Sequence, residues 1–425
     1  MPFSIRQPVE FERYREAYRQ RRFDGVLADG HQLAATFETV DQQRRFVAPV
    51  ALMFGAALAE GDAYLEACTW LEHGLERTAA DQAAGDAVIL GEFGGTDWFS
   101  LRLIELYMLV GRYGDAWNRL TPLEEPSRRE TTRLAAIRGR ALLNTIRGDY
   151  EAAHNLLNAA VTVTERIGSS FLAAMVEADR AVLLATQGRR REAVLLADRT
   201  LDRLIKTPSG SHGVWAAASA ASVALTLARR CFAADEHDEG ERWLLLGAGS
   251  IERSPTTYLS AQLDVTIARS WRQQGAIGRA ESLCSAAAIR LASLGCRPAE
   301  AAATLELARL AAARGMDEAA LPLAQRAYDE LTYLGHALER REAAELLAQI
   351  GASPSSHQWA PERPASSTRA EGRPADRRAN RRASQAAERA AEQAAKPVAD
   401  QPTQLAPDRA PDRASDRSDD SSESS

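Results

Sequence analysis

Residues 147–157 read RGDYEAAHNLL, and the pattern returns as QGRRREAVLLA at 187–197, QGAIGRAESLC at 274–284 and RGMDEAALPLA at 314–324. A further copy, VGRYGDAWNRL, spans 110–120. Each reads as the end of one helix, a glycine, a short turn and a second helix. The glycines are Gly111, Gly148, Gly188, Gly275 and Gly315. Glycine suits this slot because it enters the left-handed conformation that terminates a helix without a Cβ penalty. Looser copies put Asp62, Asp235 and Arg21 in the same slot, within EGDAYLEACTWL, DEHDEGERWLLL and RRFDGVLADG. Eight slots result, at 21, 62, 111, 148, 188, 235, 275 and 315, with a spacing near forty residues. Self-similarity at such a period marks a repeat array and decides the fold before any local propensity does.

Two further slots hold small side chains. Five residues after the turn stand Ala67, Ala116, Ala153, Ala193, Gly240, Ala280 and Ala320. Seven residues before it stand Gly55, Ala141, Ala181, Ala228, Ala268 and Ala308. Small residues facing each other let two helices approach closely as an antiparallel pair. One pair cannot bury its apolar stripe alone, so successive pairs must stack into a continuous core. Two long intervals carry GEFGGTDW at 91–98 and KTPSGSHG at 206–213, which read as glycine-containing loops between pairs, the first capped by Thr96 or Asp97.

Composition agrees. Among 425 residues the dominant types are helix formers, aromatic residues make up 6%, and no stretch shows sustained period-two alternation, so the class is all-α. The net charge of -6 does not suit a general nucleic-acid or membrane-surface protein. Cys68, Cys231, Cys284 and Cys296 form no C-x-x-C pair, which argues against a disulfide framework or a zinc site. Cys231 and Cys284 fall on packing positions and read as small buried hydrophobes. The charged N-terminus does not read as a secretory signal, and no apolar run is long enough to span a bilayer, so the expected location is cytoplasmic.

The repeat resembles the tetratricopeptide repeat (TPR) superfamily. Tyr113 and Tyr150, with Phe23 in the first copy, match the aromatic two residues past the turn, and Tyr107 matches the aromatic late in the first helix. The usual tryptophan near the start of the first helix is missing, and the period is about forty instead of thirty-four. The longer period is similar to the variant in maltose-regulator-type bacterial transcription factors. The resemblance covers about residues 5–350 and implies a right-handed superhelical solenoid of about eight antiparallel hairpins. The expected domains are a TPR-like α-solenoid over 1–351 and a disordered low-complexity tail over 352–425, rich in proline, serine, alanine, arginine and aspartate.

Motifs for chemistry fail one by one. There is no phosphate-binding loop with its lysine, and LLLGAGSIE at 244–252 puts Glu252 where a dinucleotide fingerprint needs glycine. No two histidines lie at helical ligand spacing. The expectation is therefore no enzyme, no cofactor and no metal. One pattern stands out. Leu227-Ala228-Arg229, Ile267-Ala268-Arg269 and Leu307-Ala308-Arg309 superpose, so the three arginines recur every 40 residues. The resemblance places this slot on the concave groove, with Arg272, Arg138 and Arg102 on groove-facing positions as well. These six are the candidate partner-binding residues, able to receive carboxylates or phosphates. The competing reading pairs each arginine with a glutamate on an adjoining helix, such as Glu306. Leu142 stands where the family's two-carboxylate clamp needs asparagine, which argues against a chaperone-tail receptor.

The expected function is a non-enzymatic scaffold or adaptor that takes a protein or peptide in the groove. The alternative is a bacterial sensor module that binds a small effector or peptide and acts through a separate output protein. A third reading, nucleic-acid binding through arginines at 369–389, lacks interleaved aromatics and is opposed by the acidic terminus. Within the tail, Arg381-Arg382-Ala383-Ser384 resembles a basophilic kinase site, and the acidic end could compete for the groove.

Overall fold

A computed structural model describes residues 8–84, 95–207 and 211–351. The chain divides into two units, Met1–Ala360 and Pro361–Ser425, and every described residue belongs to the first. The expected disordered tail, its kinase-like site and its acidic end all lie outside the described residues.

The described residues hold seventeen α-helices and no strand. They pair as eight antiparallel hairpins: α1 (Val9–Arg19) with α2 (Phe23–Thr39), α3 (Val47–Glu60) with α4 (Tyr64–Ala83), α5 (Gly95–Val110) with α6 (Tyr113–Leu120), and α7 (Glu130–Arg147) with α8 (Tyr150–Ile167). The series continues with α9 (Ser170–Thr186) and α10 (Arg190–Ile205), α11 (Ser211–Phe232) and α12 (His237–Arg253), α13 (Thr257–Gln273) and α14 (Ile277–Ser293), and α15 (Arg297–Ala313) and α16 (Asp317–Leu334). A single helix, α17 (Ala337–Gln349), follows. The chain is thus an all-α solenoid of stacked hairpins, as the repeat spacing predicts.

All eight turn slots have positive φ: 56° at Arg21, 63° at Asp62, 58° at Asp235, and 73–84° at the five glycines. The hydrogen bonding repeats too. At Gly148 the glycine N–H donates to the Thr145 carbonyl and the Asp149 N–H to Asn144, at 3.1 and 2.9 Å. The same two-bond closure of the helix end recurs at Gly188, Asp235, Gly275 and Gly315. Every small residue named above is buried. At Gly55 a Cβ would lie 3.0 Å from the Leu71 nitrogen and 3.1 Å from the Ala67 carbonyl oxygen, so backbone meets backbone there.

One expected loop is shorter than read. Within 91–98 the helix α5 already begins at Gly95, and residues 91–94 lie outside the described residues. Thr96 and Asp97 sit inside its first turn, and Asp97 accepts a hydrogen bond from Arg128 at 2.9 Å. The apolar Trp98–Phe99 pair, packed edge to face, draws this segment into the core. The 206–213 interval does separate two hairpins; Ser211 opens α11, and 208–210 are outside the described residues.

Alternate helices define the inside of the curve. Each first helix touches the first helix of the next hairpin, α1 to α3 through α15 to α17, while the second helices make no comparable contact with one another. The crowded edge is the inner wall. The curvature is tight enough that α15 also reaches α5, and α17 reaches α7.

Candidate functional site

The inner wall places the repeated arginines side by side. Arg269 donates from Nη1 to the backbone carbonyl of Arg229 at 3.2 Å, so consecutive hairpins are joined through this slot. Arg269, Arg272 and Arg309 converge on Glu306, at 3.1, 2.6 and 3.2 Å. Arg309 also reaches Glu342 on α17 at 2.9 Å, and Arg230 donates to the other oxygen of Glu342 at 2.5 Å. Four guanidinium groups and two carboxylates thus form one chain of charge across α11, α13, α15 and α17.

This chain is largely out of water. Glu306 is fully buried and the Arg269 side chain is 8% exposed, whereas Arg309 and Arg272 keep 18% and 21%. Burial by itself would raise the Glu306 carboxyl, but the charges of Arg269, Arg309 and Arg272 outweigh it and hold it down at about 2. Glu342 is likewise held low against burial by Arg230, Arg269 and Arg309. Burial lowers Arg269, with Glu306 opposing. For Arg309 the two carboxylates overcome burial, and its pKa rises.

The other candidates lie on the same wall and bond locally. Arg138 on α7 grips Asp179 on α9 through two N–H groups, at 2.6 and 3.2 Å. Arg102 on α5 bonds Glu60 at 2.9 Å and Glu105 at 3.1 Å. Neither is ion-paired with the α11–α17 chain. Arg229 differs from the rest: its partners are the Gln262 amide oxygen at 2.7 Å and the Thr226 hydroxyl at 3.4 Å.

Sequence reading named Glu306 as a competing partner but missed Asp179, Glu342, Gln262 and Arg230. A signal existed for the first two. Asp179, Glu306 and Glu342 each stand nine residues before a left-handed glycine, at Gly188, Gly315 and Gly351. A second missed group joins distant hairpins. The Tyr113 hydroxyl lies 2.5 Å from His336 Nε2, and His336 Nδ1 lies 3.4 Å from Glu339. With Nδ1 protonated toward Glu339, Nε2 accepts from Tyr113. This relay ties the start of α6 to the start of α17.

The remaining chemistry is sparse. No group of three His, Cys, Asp or Glu residues placed to hold a metal occurs among the described residues. The four cysteines are free and buried, and burial pushes every thiol up, Cys231 to about 11 and the other three to about 12. The Gly247-x-Gly249 tract lies inside α12, where backbone N–H groups serve the helix and not a phosphate. No described helix is long and apolar enough to cross a membrane.

No family model matches the chain, and no curated protein matches it. Solved structures do. A Rap protein crystallised with competence and sporulation factor matches with a TM-score of 0.47 and 13% identity, over 72% of this chain and 87% of that one. A signal-transduction ATPase with numerous domains, carrying a tetratricopeptide-repeat sensor, from Pyrococcus horikoshii, matches with a TM-score of 0.43 and 12% identity. That match covers 82% of this chain and only half the length of the other. Neither likeness is close enough to carry a family or a function.

Proposed function

We propose that this chain is a non-enzymatic scaffold, a long-period member of the tetratricopeptide superfamily that holds a protein or peptide segment along its inner wall in the cytoplasm. The observation that supports the reading is the set of guanidinium groups contributed by the first helices α5, α7, α11, α13 and α15, namely Arg102, Arg138, Arg229, Arg269 and Arg309. Such a wall favours an extended or helical segment with acidic side chains, because arginine's fork matches carboxylate geometry and several spaced contacts fix register. Arg269 and Glu306 are framework, since removing either leaves a buried charge. The side chains open to a partner are Arg138, Arg229, Arg272 and Arg102.

The test is affinity capture from a lysate of the source cells followed by mass spectrometry. The bait is the full chain, beside an Arg138→Ala/Arg229→Ala/Arg272→Ala variant whose helicity is first checked by circular dichroism. A defined partner captured by the parent and lost in the folded variant supports the proposal. A partner captured equally by both overturns the assignment to the inner wall.

The sensor reading is favoured by the Tyr113–His336–Glu339 relay, which couples the third hairpin to α17 and would respond to a ligand seated between them. Calorimetric saturation by a small molecule extracted from the same lysate, with no protein partner recovered, would select that alternative.

A further inference from the structure

Three pairs of neighbouring first helices on the inner wall repeat one interaction. A guanidinium on one first helix meets a side chain on the next: Arg138 meets Asp179, Arg269 meets Glu306, and Arg309 meets Glu342. Between α11 and α13 the arginine is present as Arg229, but no acid faces it. The position nine residues before Gly275 is Thr266, where the sister helices α9, α15 and α17 carry Asp179, Glu306 and Glu342. The buried Thr266 turns its hydroxyl to the Gln262 carbonyl at 2.8 Å. Gln262 itself supplies an uncharged amide oxygen to Arg229. Among the described residues, Arg229 is ion-paired with no carboxylate.

The surroundings aggravate the shortfall. Arg230 is the next residue, and its charge is committed to Glu342. Around this point five guanidinium groups, those of Arg229, Arg230, Arg269, Arg272 and Arg309, meet the carboxylates of Glu306, Glu339 and Glu342. Burial and the Arg230 charge push the Arg229 pKa down, against the opposing pull of Glu339, Tyr258 and Glu342. A guanidinium has five N–H donors, and two are used here by neutral oxygens. Arg229 also keeps partial contact with solvent, unlike Arg269.

We infer that Arg229 is a receptor for one carboxylate brought by a bound peptide, completing on α11–α13 the guanidinium–carboxylate pairing that α7–α9, α13–α15 and α15–α17 complete internally. The inference rests on the inner wall being the binding surface and names the group that wall selects. A carboxylate is the ligand because Arg138, Arg269 and Arg309 each take one, at 2.6 to 3.1 Å, from the helix next in line. Gln262 acts as a neutral placeholder that orients the guanidinium without giving it a directly bonded carboxylate.

The experiment uses the full chain labelled with ¹⁵N at arginine Nε, with acetate as the probe. The Nε–H resonance absent from Arg229→Lys assigns Arg229. Sodium acetate replaces sodium chloride at constant ionic strength and pH 7, and a parallel series uses inorganic phosphate. The expected result is a saturable shift of the Arg229 signal with acetate. In Gln262→Glu the signal should start displaced and not move, and the urea midpoint of that variant should be higher than the parent's. No shift, an equal shift in Gln262→Glu, a response to phosphate alone, or a lower midpoint in Gln262→Glu would each overturn the assignment. Because the titration contains no partner protein, it can fail while lysate capture succeeds, and the reverse.

Discussion

Replacing Glu306 by glutamine keeps the shape of the side chain and removes its charge. Arg309 retains Glu342 at 2.9 Å, and Arg272, at 21% exposure, retains some water. Arg269 bears most of the cost. It is 8% exposed and keeps the Arg229 carbonyl as an acceptor besides the new amide. Removing one partner of a buried ion pair costs about 3–5 kcal/mol. An independent route gives a similar size. A folded-state pKa of about 2 for Glu306, against about 4.3 unfolded, corresponds to about 3 kcal/mol at neutral pH. Because the folded pKa is depressed, this stabilisation is present above about pH 4.3 and fades as the pH falls toward 2. Urea unfolding followed by circular dichroism should therefore place Glu306→Gln about 3 kcal/mol below the parent at pH 7, with the gap narrowing between pH 5 and 3. A gap below about 1 kcal/mol at pH 7, or one that does not change with pH, would refute the reasoning. Combining Glu306→Leu with Arg269→Met should cost less than Glu306→Leu alone, since the most buried guanidinium is then no longer stranded.

Other outcomes follow from single sites. Asp235→Gly should raise stability to urea unfolding by about 1 kcal/mol, because Asp235 holds φ 58° and its side-chain contact with Gln273 is 3.5 Å long. Gly55→Ala should lower stability by about 2 kcal/mol, since the backbone of α4 cannot yield to the added methyl; an unchanged urea midpoint would refute the close backbone approach at Gly55. A thiol reagent at pH 8 should label none of the four cysteines in the native protein and all four in denaturant; prompt native labelling would contradict their burial. Tyr113→Phe should cost about 1 kcal/mol and speed amide exchange selectively across 337–349, leaving α10 as a control.

The repeat was legible because its signals are local. A turn that needs positive φ and a small residue five positions on can be read within one window, and Asp62, Asp235 and Arg21 stood in such turns without being glycine. The turns between hairpins were less visible. Gly168, Gly295 and Gly335 also have positive φ, but they lack a constant partner pattern around them. The arginine slot could be read from its 40-residue recurrence, whereas its consequences could not. Whether Arg269 faces a partner or Glu306 depends on the register between stacked hairpins. Tyr113 and His336 lie 223 residues apart and meet only because the array curves back on itself. Gln262 carries no sequence signal by itself, and acquires meaning only once Asp179, Glu306 and Glu342 are seen at the equivalent place.

The meeting of α15 with α5 and of α17 with α7 changes how the molecule should respond to force and to deletion. An open array loses repeats one at a time from either end, each with its own threshold. Here the last described helix, α17, braces α7, which is synthesised about two hundred residues earlier. Trimming the chain before Ala337 should loosen α6 and α7 as much as α16. Pulling the ends apart should give one early rupture, when the brace lets go, before the stepwise unwinding that open arrays show.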